Sequence, residues 1–142
     1  MTTLNPYLNF PGTTEEAFNL YKTIIGGEIT MIMRFRDMPD DKTPENEKDK
    51  ICHISLKFPN GNILMATDTL ESMGQKIILG NNFYLSLGVE SEAEADRIFK
   101  ELSPGGKVEM PMEKMFWGDY FGIVQDKFGT QWMVTYTYPQ AK

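Results

Sequence analysis

The chain says the same thing twice, and an internal repeat fixes architecture before any propensity argument does. Tyr7-Leu8-Asn9-Phe10 and Tyr84-Leu85-Ser86-Leu87 are short alternating runs, the pattern of a half-buried strand. Each is followed by a hydroxyl-x-x-Glu pair, Thr13 with Glu16 and Ser91 with Glu94. Such a capping box satisfies two free amide donors at a helix start. Ala17, Phe18, Tyr21, Ile24 and Ile25 then form one apolar stripe, matched by Ala95, Ile98, Phe99 and Leu102. Glycine pairs, Gly26-Gly27 and Gly105-Gly106, stop both helices. One strand follows each helix, around residues 28–35 and 107–112, and then a hairpin. The first hairpin runs 53–58 and 62–67 about Pro59-Asn60-Gly61; the second runs 121–126 and 130–135 about Lys127-Phe128-Gly129. The order is strand, helix, strand, strand, strand, twice over. An α+β fold of two tandem βαβββ modules is expected, with curved mixed sheets forming a cup. Module one spans about 3–69, a linker 70–80 and module two 81–138, all within one domain of 142 residues.

Two segments stand outside the repeat. Residues 37–50 are charged, hold two prolines and show no apolar period, so a solvated, mobile loop is expected there, with a flap over a site as the lesser reading. The connection at 71–80 contains Ile77-Ile78-Leu79, an apolar run suited to a dimer contact.

Composition removes several partners. The net charge is −6 and the fourteen basic residues are scattered, whereas a nucleic-acid backbone or an anionic membrane needs them clustered. No apolar run approaches the roughly 18 residues of a membrane span. Met1 to Pro6 has neither the basic nor the apolar part of a secretory signal, and the single cysteine, Cys52, forms no disulfide framework; a cytoplasmic setting is expected.

Alternation then assigns faces. Phe83, Leu85, Leu87 and Val89 go beneath the second helix, as Pro6, Leu8 and Phe10 go beneath the first. Asn82, Tyr84, Ser86 and Asn5, Tyr7, Asn9 face away. Trp132, Val134 and Tyr136 oppose Gln131, Met133 and Thr135; Leu64 and Ala66 oppose Ile63, Met65 and Thr67; Cys52, Ile54 and Leu56 oppose His53 and Ser55. The outward set is amide, hydroxyl, phenol, thioether and one imidazole, with almost no Lys or Glu. A water-poor cup with a few hydrogen-bonding groups suits that mixture.

Asn5-Pro-Tyr-Leu-Asn-Phe, the helix Glu-Glu-Ala-Phe-Asn-Leu-Tyr-Lys from Glu15, Gly26-Gly27, His53 before Ile-Ser-Leu, Leu64-Met-Ala-Thr-Asp68 and Trp117-Gly-Asp-Tyr-Phe-Gly…Asp126-Lys-Phe-Gly129…Trp132 resemble the PhnB-like branch of the vicinal oxygen chelate superfamily. Glyoxalase I, bleomycin resistance proteins and extradiol dioxygenases belong to that superfamily. The resemblance runs from Asn5 to about Tyr138 and implies paired βαβββ modules around a cavity and a homodimer. In the superfamily's metal enzymes a divalent ion is held by His or Glu on the first and last strand of each module. Those positions fall here on Asn5, Asn82, Met65 and Met133. Amides and thioethers are poor donors for Mg, Mn, Zn or Fe, so neither a metal nor another cofactor is expected.

The remaining candidates have plainer readings beside them. His53, the one histidine, is a candidate proton acceptor or simply a hydrogen-bonded sheet residue. The ten Met residues read as adaptable filler or as a deformable ligand lining. Phe116 and Trp117 precede a glycine and could close over a planar ligand or plug a dimer seam. Asp119 and Asp126 read as turn-formers that bond backbone amides, Glu109 and Glu113 as solvated, and Cys52 as inert core. The function expected is metal-free binding of a small, partly apolar ligand by Asn5, Tyr7, Asn9, Ser55, Met65, Asn82, Tyr84, Ser86, Trp117 and Met133. The alternative is an enzyme acting on a small metabolite, glyoxalase-, dioxygenase- or lyase-like, with or without a metal and with His53 catalytic. No glycine motif for a methyl donor is present.

Overall fold

The structure is a computed structural model that describes residues 1–39 and 42–140. The chain divides into two compact units, Met1–Ile78 and Leu79–Lys142. The first contains β1 (Tyr7–Phe10), α1 (Thr14–Ile25), β2 (Glu28–Arg34), β3 (Ile51–Lys57) and β4 (Ile63–Asp68). The second contains β5 (Leu85–Gly88), α2 (Glu92–Leu102), β6 (Lys107–Lys114), β7 (Asp119–Gln125) and β8 (Gln131–Thr137). Each unit has one four-stranded mixed sheet, ordered β1-β4-β3-β2 and β5-β8-β7-β6. β1 and β5 pair in parallel with the last strand of their unit, because a helix crossover returns the chain in the same direction; all other pairs are antiparallel. The α+β fold of two βαβββ modules follows the repeat read from the sequence.

One face of each sheet lies under its helix. In the first unit Ala17, Phe18, Tyr21 and Ile24 of α1 pack on Phe10, Ile54, Leu56, Leu64 and Ala66, all buried. In the second, Ala95, Ile98 and Leu102 pack on Val124, Trp132 and Val134. Burying each of the larger side chains is worth about 1.5–3 kcal/mol. Gly122 sits in the middle of β7 because a Cβ there would come 2.9 Å from the Phe99 ring and 2.6 Å from Met112 Sδ. Gly106 is required more strictly, since its Cβ would strike the Gln125 carbonyl at 2.0 Å.

The hairpins superimpose bond for bond. Phe58 N–H donates to the Asn62 carbonyl as Asp126 N–H does to Thr130, both at 2.9 Å, and a glycine N–H closes each turn. Met65 and Met133 are therefore equivalent. Across them stand Tyr7 and Ser86, so Tyr7 corresponds to Ser86 and Asn5 to Tyr84. The sequence match of Tyr7 with Tyr84 is two residues out of step. A slip of two keeps every side chain on its own face, so alternation could not detect it. β5 also begins at Leu85, which leaves Phe83 63% exposed rather than under the helix. The outer strands share a bulge, with Thr30 and Glu109 inserted between paired residues.

The helix starts differ. Ser91 Oγ accepts the Glu94 amide at 3.0 Å, but Thr13, with ψ near 11°, makes no side-chain cap. Asp68 at the end of β4 does that work. It is buried, and its two oxygens accept the Thr14 amide at 3.0 Å and the Ile51 amide at 2.8 Å. The segment 37–50 is anchored rather than simply solvated, although Asp40 and Asp41 lie outside the described residues. Arg34 forks onto Glu15 at 2.6 and 3.2 Å, and Arg36 binds Asp49 at 2.9 Å. Glu47 is buried and accepts the Glu71 amide at 3.0 Å; the Ser72 hydroxyl, then the Ser72 amide, Lys50 and the Glu71 amide, hold its carboxyl below the usual range, against the effect of burial.

Replacing Asp68 with Ala strands two buried amides and should lower the unfolding free energy by about 3 kcal/mol. Asn, which keeps one acceptor, should cost less. Urea unfolding of both variants measures this, and equal stability of Asp68→Ala and the parent would refute the tie.

Candidate functional site

The face of each sheet away from its helix is where the outward side chains gather. In the first unit the register lines up Met31, Ser55, Met65 and Tyr7 across four strands. The next row begins with Met33 opposite His53 and ends with Thr67 opposite Asn9. Between the hairpin end and the other rim, β1, β3 and β4 present no ionised side chain on this face.

His53 is held at both ring nitrogens. Tyr7 Oη lies 3.1 Å from Nδ1 and Ser55 Oγ 2.9 Å from Nε2. The Tyr7 and His53 rings are tilted with centroids 5.6 Å apart. Ser55 is buried, whereas Tyr7 is 45% exposed. Burial, then the neighbouring Cys52 thiol, pushes the Tyr7 phenol above its ordinary value, so it stays a hydroxyl. β-strand positions 53 and 55 share a face, which lets the imidazole reach the serine two residues on. The tyrosine arrives from β1 through the parallel pairing.

Cys52 does not sit in the core beside Ile54 and Leu56. A register shift between Met33 and Arg34 displaces it from the strand's alternation, and Ile51 takes the buried place. Cys52 is half-buried, its thiol 3.4 Å from Met38 Sδ. A bulge of this kind leaves no mark on the amino-acid alternation.

The second unit repeats the frame with different groups. Met110, Ile123, Met133 and Ser86 form the row equivalent to Met31, Ser55, Met65 and Tyr7. Phe121 stands where His53 is, so the hydrogen-bonded chain exists in the first unit alone. Tyr84 Oη donates to Glu109 at 3.1 Å, and Gln131, buried, donates to the Phe83 carbonyl at 2.9 Å. Asn82 is exposed and precedes β5, as Asn5 precedes β1. Trp117, 52% exposed, donates from Nε1 to Asp119 at 2.8 Å and packs edge-on to Phe116 and Phe121. Asp119 also accepts the Thr137 hydroxyl, so it bonds side chains rather than the backbone amides expected. Asp126 does take two amides, of Phe128 and Thr130, and the buried Trp132 indole besides.

The metal positions implied by the resemblance do not fit a hard or borderline dication. Met65 and Met133 offer thioethers and Asn5 and Asn82 neutral amides. Among the described residues no three His, Cys, Asp or Glu side chains cluster as a metal site.

Paired βαβββ units of this topology define the glyoxalase-like, vicinal oxygen chelate fold. It is shared with a glyoxalase/bleomycin resistance protein/dioxygenase from Nocardioides, at 16% identity and a TM-score of 0.57 over 100% of this chain and 88% of that one. Residues 2–135 match the family described as 3-demethylubiquinone-9 3-methyltransferase, and the chain belongs to that family, in the PhnB-like branch. Protein YjdN of Escherichia coli K12 is 32% identical over 92% of both chains. Protein PA1353 of Pseudomonas aeruginosa is 36% identical over 96% of this chain and 98% of that one, with a TM-score of 0.85. A PhnB protein from Bacillus cereus is 26% identical over 96% and 100%, with a TM-score of 0.79.

If Asp119 orients Trp117, Asp119→Ala should increase acrylamide quenching of the exposed indole while Trp132 remains protected. Unchanged quenching would show that the hydrogen bond does not restrain the ring.

Proposed function

We propose that this chain binds a small, partly apolar molecule against the open faces of its sheets without a metal, as a cytoplasmic homodimer. One observation carries the reading: Tyr7, His53 and Ser55 form a hydrogen-bonded chain set among Met31, Met33 and Met65, on a face whose charged pair, Lys57 and Glu28, stands apart at the hairpin end. A solvated sheet face would carry charges. Thioethers on flexible stems adapt to apolar shapes, and a few fixed polar groups orient what binds. Asn5 and Asn9 complete the proposed lining on the first unit, and Tyr84, Ser86, Met133, Asn82 and Trp117 are the proposed lining on the second unit's own sheet. Ile78 of the first unit and Phe116 of the second, 87% and 97% exposed, are apolar side chains that each support contact with a second copy.

A second reading is favoured by the same chain. A histidine bonded at both nitrogens to hydroxyls is a proton relay, and His53 could take a proton from a small metabolite through Tyr7 or Ser55. The methyl transfer in the family's description requires a methyl donor. The turns entering α1 and α2, Pro11-Gly12-Thr13 and Val89-Glu90-Ser91, lack the glycine-rich amide cradle typical of a dinucleotide-type cofactor.

Elemental analysis of the purified protein should find no stoichiometric divalent metal. One tightly held ion per chain, lost on replacing Met65 or Met133, would overturn the metal-free reading. In a thermal-shift screen of aromatic antibiotics, thiol adducts and phosphonates, a true ligand at a hundredfold its Kd should stabilise by about 2.7 kcal/mol. Turnover without stabilisation, abolished by His53→Ala, would replace binding with catalysis.

A further inference from the structure

The hydrogen-bonded chain on the first sheet has a direction, and the direction selects a ligand. A neutral imidazole carries its proton on one nitrogen and accepts at the other. Of the two hydroxyls beside His53, the phenol is the more acidic and the stronger donor, and its proton is retained because burial and Cys52 oppose its ionisation. Tyr7 Oη–H therefore donates to Nδ1, across 3.1 Å. The ring proton is then on Nε2 and is donated to Ser55 Oγ, across 2.9 Å. Ser55 accepts in that bond, so its own hydrogen remains to be given elsewhere. Among the described residues no other side chain bonds Ser55 Oγ.

The surroundings of that hydrogen are equally definite. Met31 and Met65 are the register partners of Ser55 on its two sides, and Tyr7 lies beyond Met65 in the same row. Two thioethers and a phenol ring make favourable edge and face contacts with aromatic carbon. Lys57 lies two residues along β3 on the same face, at the hairpin end and opposite Glu28. A neutral oxygen acceptor on a flat ring fits the Ser55 donor between the two thioethers.

Resting on the binding reading above, we infer that Tyr7 and His53 are positioning residues that turn the Ser55 hydroxyl into a committed donor, and that the ligand is an aryl carbonyl compound whose oxygen accepts from Ser55 between Met31 and Met65. No covalent step is involved. Ser55 contributes one hydrogen bond, His53 fixes its direction and Tyr7 fixes the tautomer of His53.

The chain has one histidine, so its ring nitrogens give a single, unambiguous set of long-range nitrogen–proton correlations. At slightly alkaline pH the unliganded protein should show the Nε2–H tautomer, and Tyr7→Phe should release the ring to a mixture of tautomers. An Nδ1–H ring in the parent protein would overturn the relay. Ligand choice is read with 2-acetylnaphthalene and 2-ethylnaphthalene, which differ in the carbonyl. The ketone should bind about tenfold more tightly, the scale of one neutral hydrogen bond. Ser55→Ala should erase that preference and leave 2-ethylnaphthalene within about twofold. Equal binding of the two by the parent protein, or a preference that survives Ser55→Ala, overturns the ligand assignment alone. Binding of neither overturns it together with the binding reading on which it rests.

Discussion

A single buried carboxylate holds the first unit in phase. Asp68 ends β4, and from there it binds the first amide of α1 and the first amide of β3. Helix and strand are thus fixed to the same atom group, and the strand is fixed two residues before His53. The bulge that follows sets Cys52 aside and returns the chain to alternation with His53 and Ser55 on the open face. Were Ile51 free to slide by one residue, His53 would turn under α1 and Ile54 would face outward, because the side-chain period is two. The imidazole meets Tyr7 and Ser55 because Asp68 permits one register.

The second unit keeps the frame and moves the tie. Asp126 gathers the amides of Phe128 and Thr130 and the Trp132 indole, which locks the hairpin and the largest core side chain together. Ser91 supplies the helix cap locally. With the frame secured by other means, its open face has been free to change: Phe121 and Ile123 stand at the places of His53 and Ser55, while Met110 and Met133 match Met31 and Met65. Duplication has kept the thioethers in both copies and the proton-bearing groups in one.

The elements were legible because their signals are local. The stripes of α1 and α2, the turns at Pro59-Asn60-Gly61 and Lys127-Phe128-Gly129, and the alternation of β4 and β8 each occupy a dozen residues or fewer and agree with one another. What was not legible depends on pairing. The two-residue slip between Tyr7 and Tyr84 is invisible to a period of two. The displacement of Cys52 arises from the partner strand, and the missing side-chain cap at Thr13 from an aspartate that takes the Thr14 amide from 54 residues away. Phe83 reads as strand by composition, yet the ladder starts after it. The partners of His53 follow from the parallel β1–β4 contact, which brings Tyr7 across 46 residues. The loop at 37–50 has the composition of a solvated chain, and its anchor shows in the buried Glu47 and the Arg36–Asp49 pair.

The paired bulges at Thr30 and Glu109 bear on survival in a crowded solution. β2 and β6 are the long rims of their sheets, and a long straight rim offers a template on which a stranger's backbone can zip. An inserted residue halfway along throws the unused amides and carbonyls out of the even spacing such zipping needs, and it adds local twist. The opposite rims, β1 and β5, are four residues each and too short to seed a stack. Both copies therefore carry a built-in defence against fibre growth, written in backbone geometry rather than in charge.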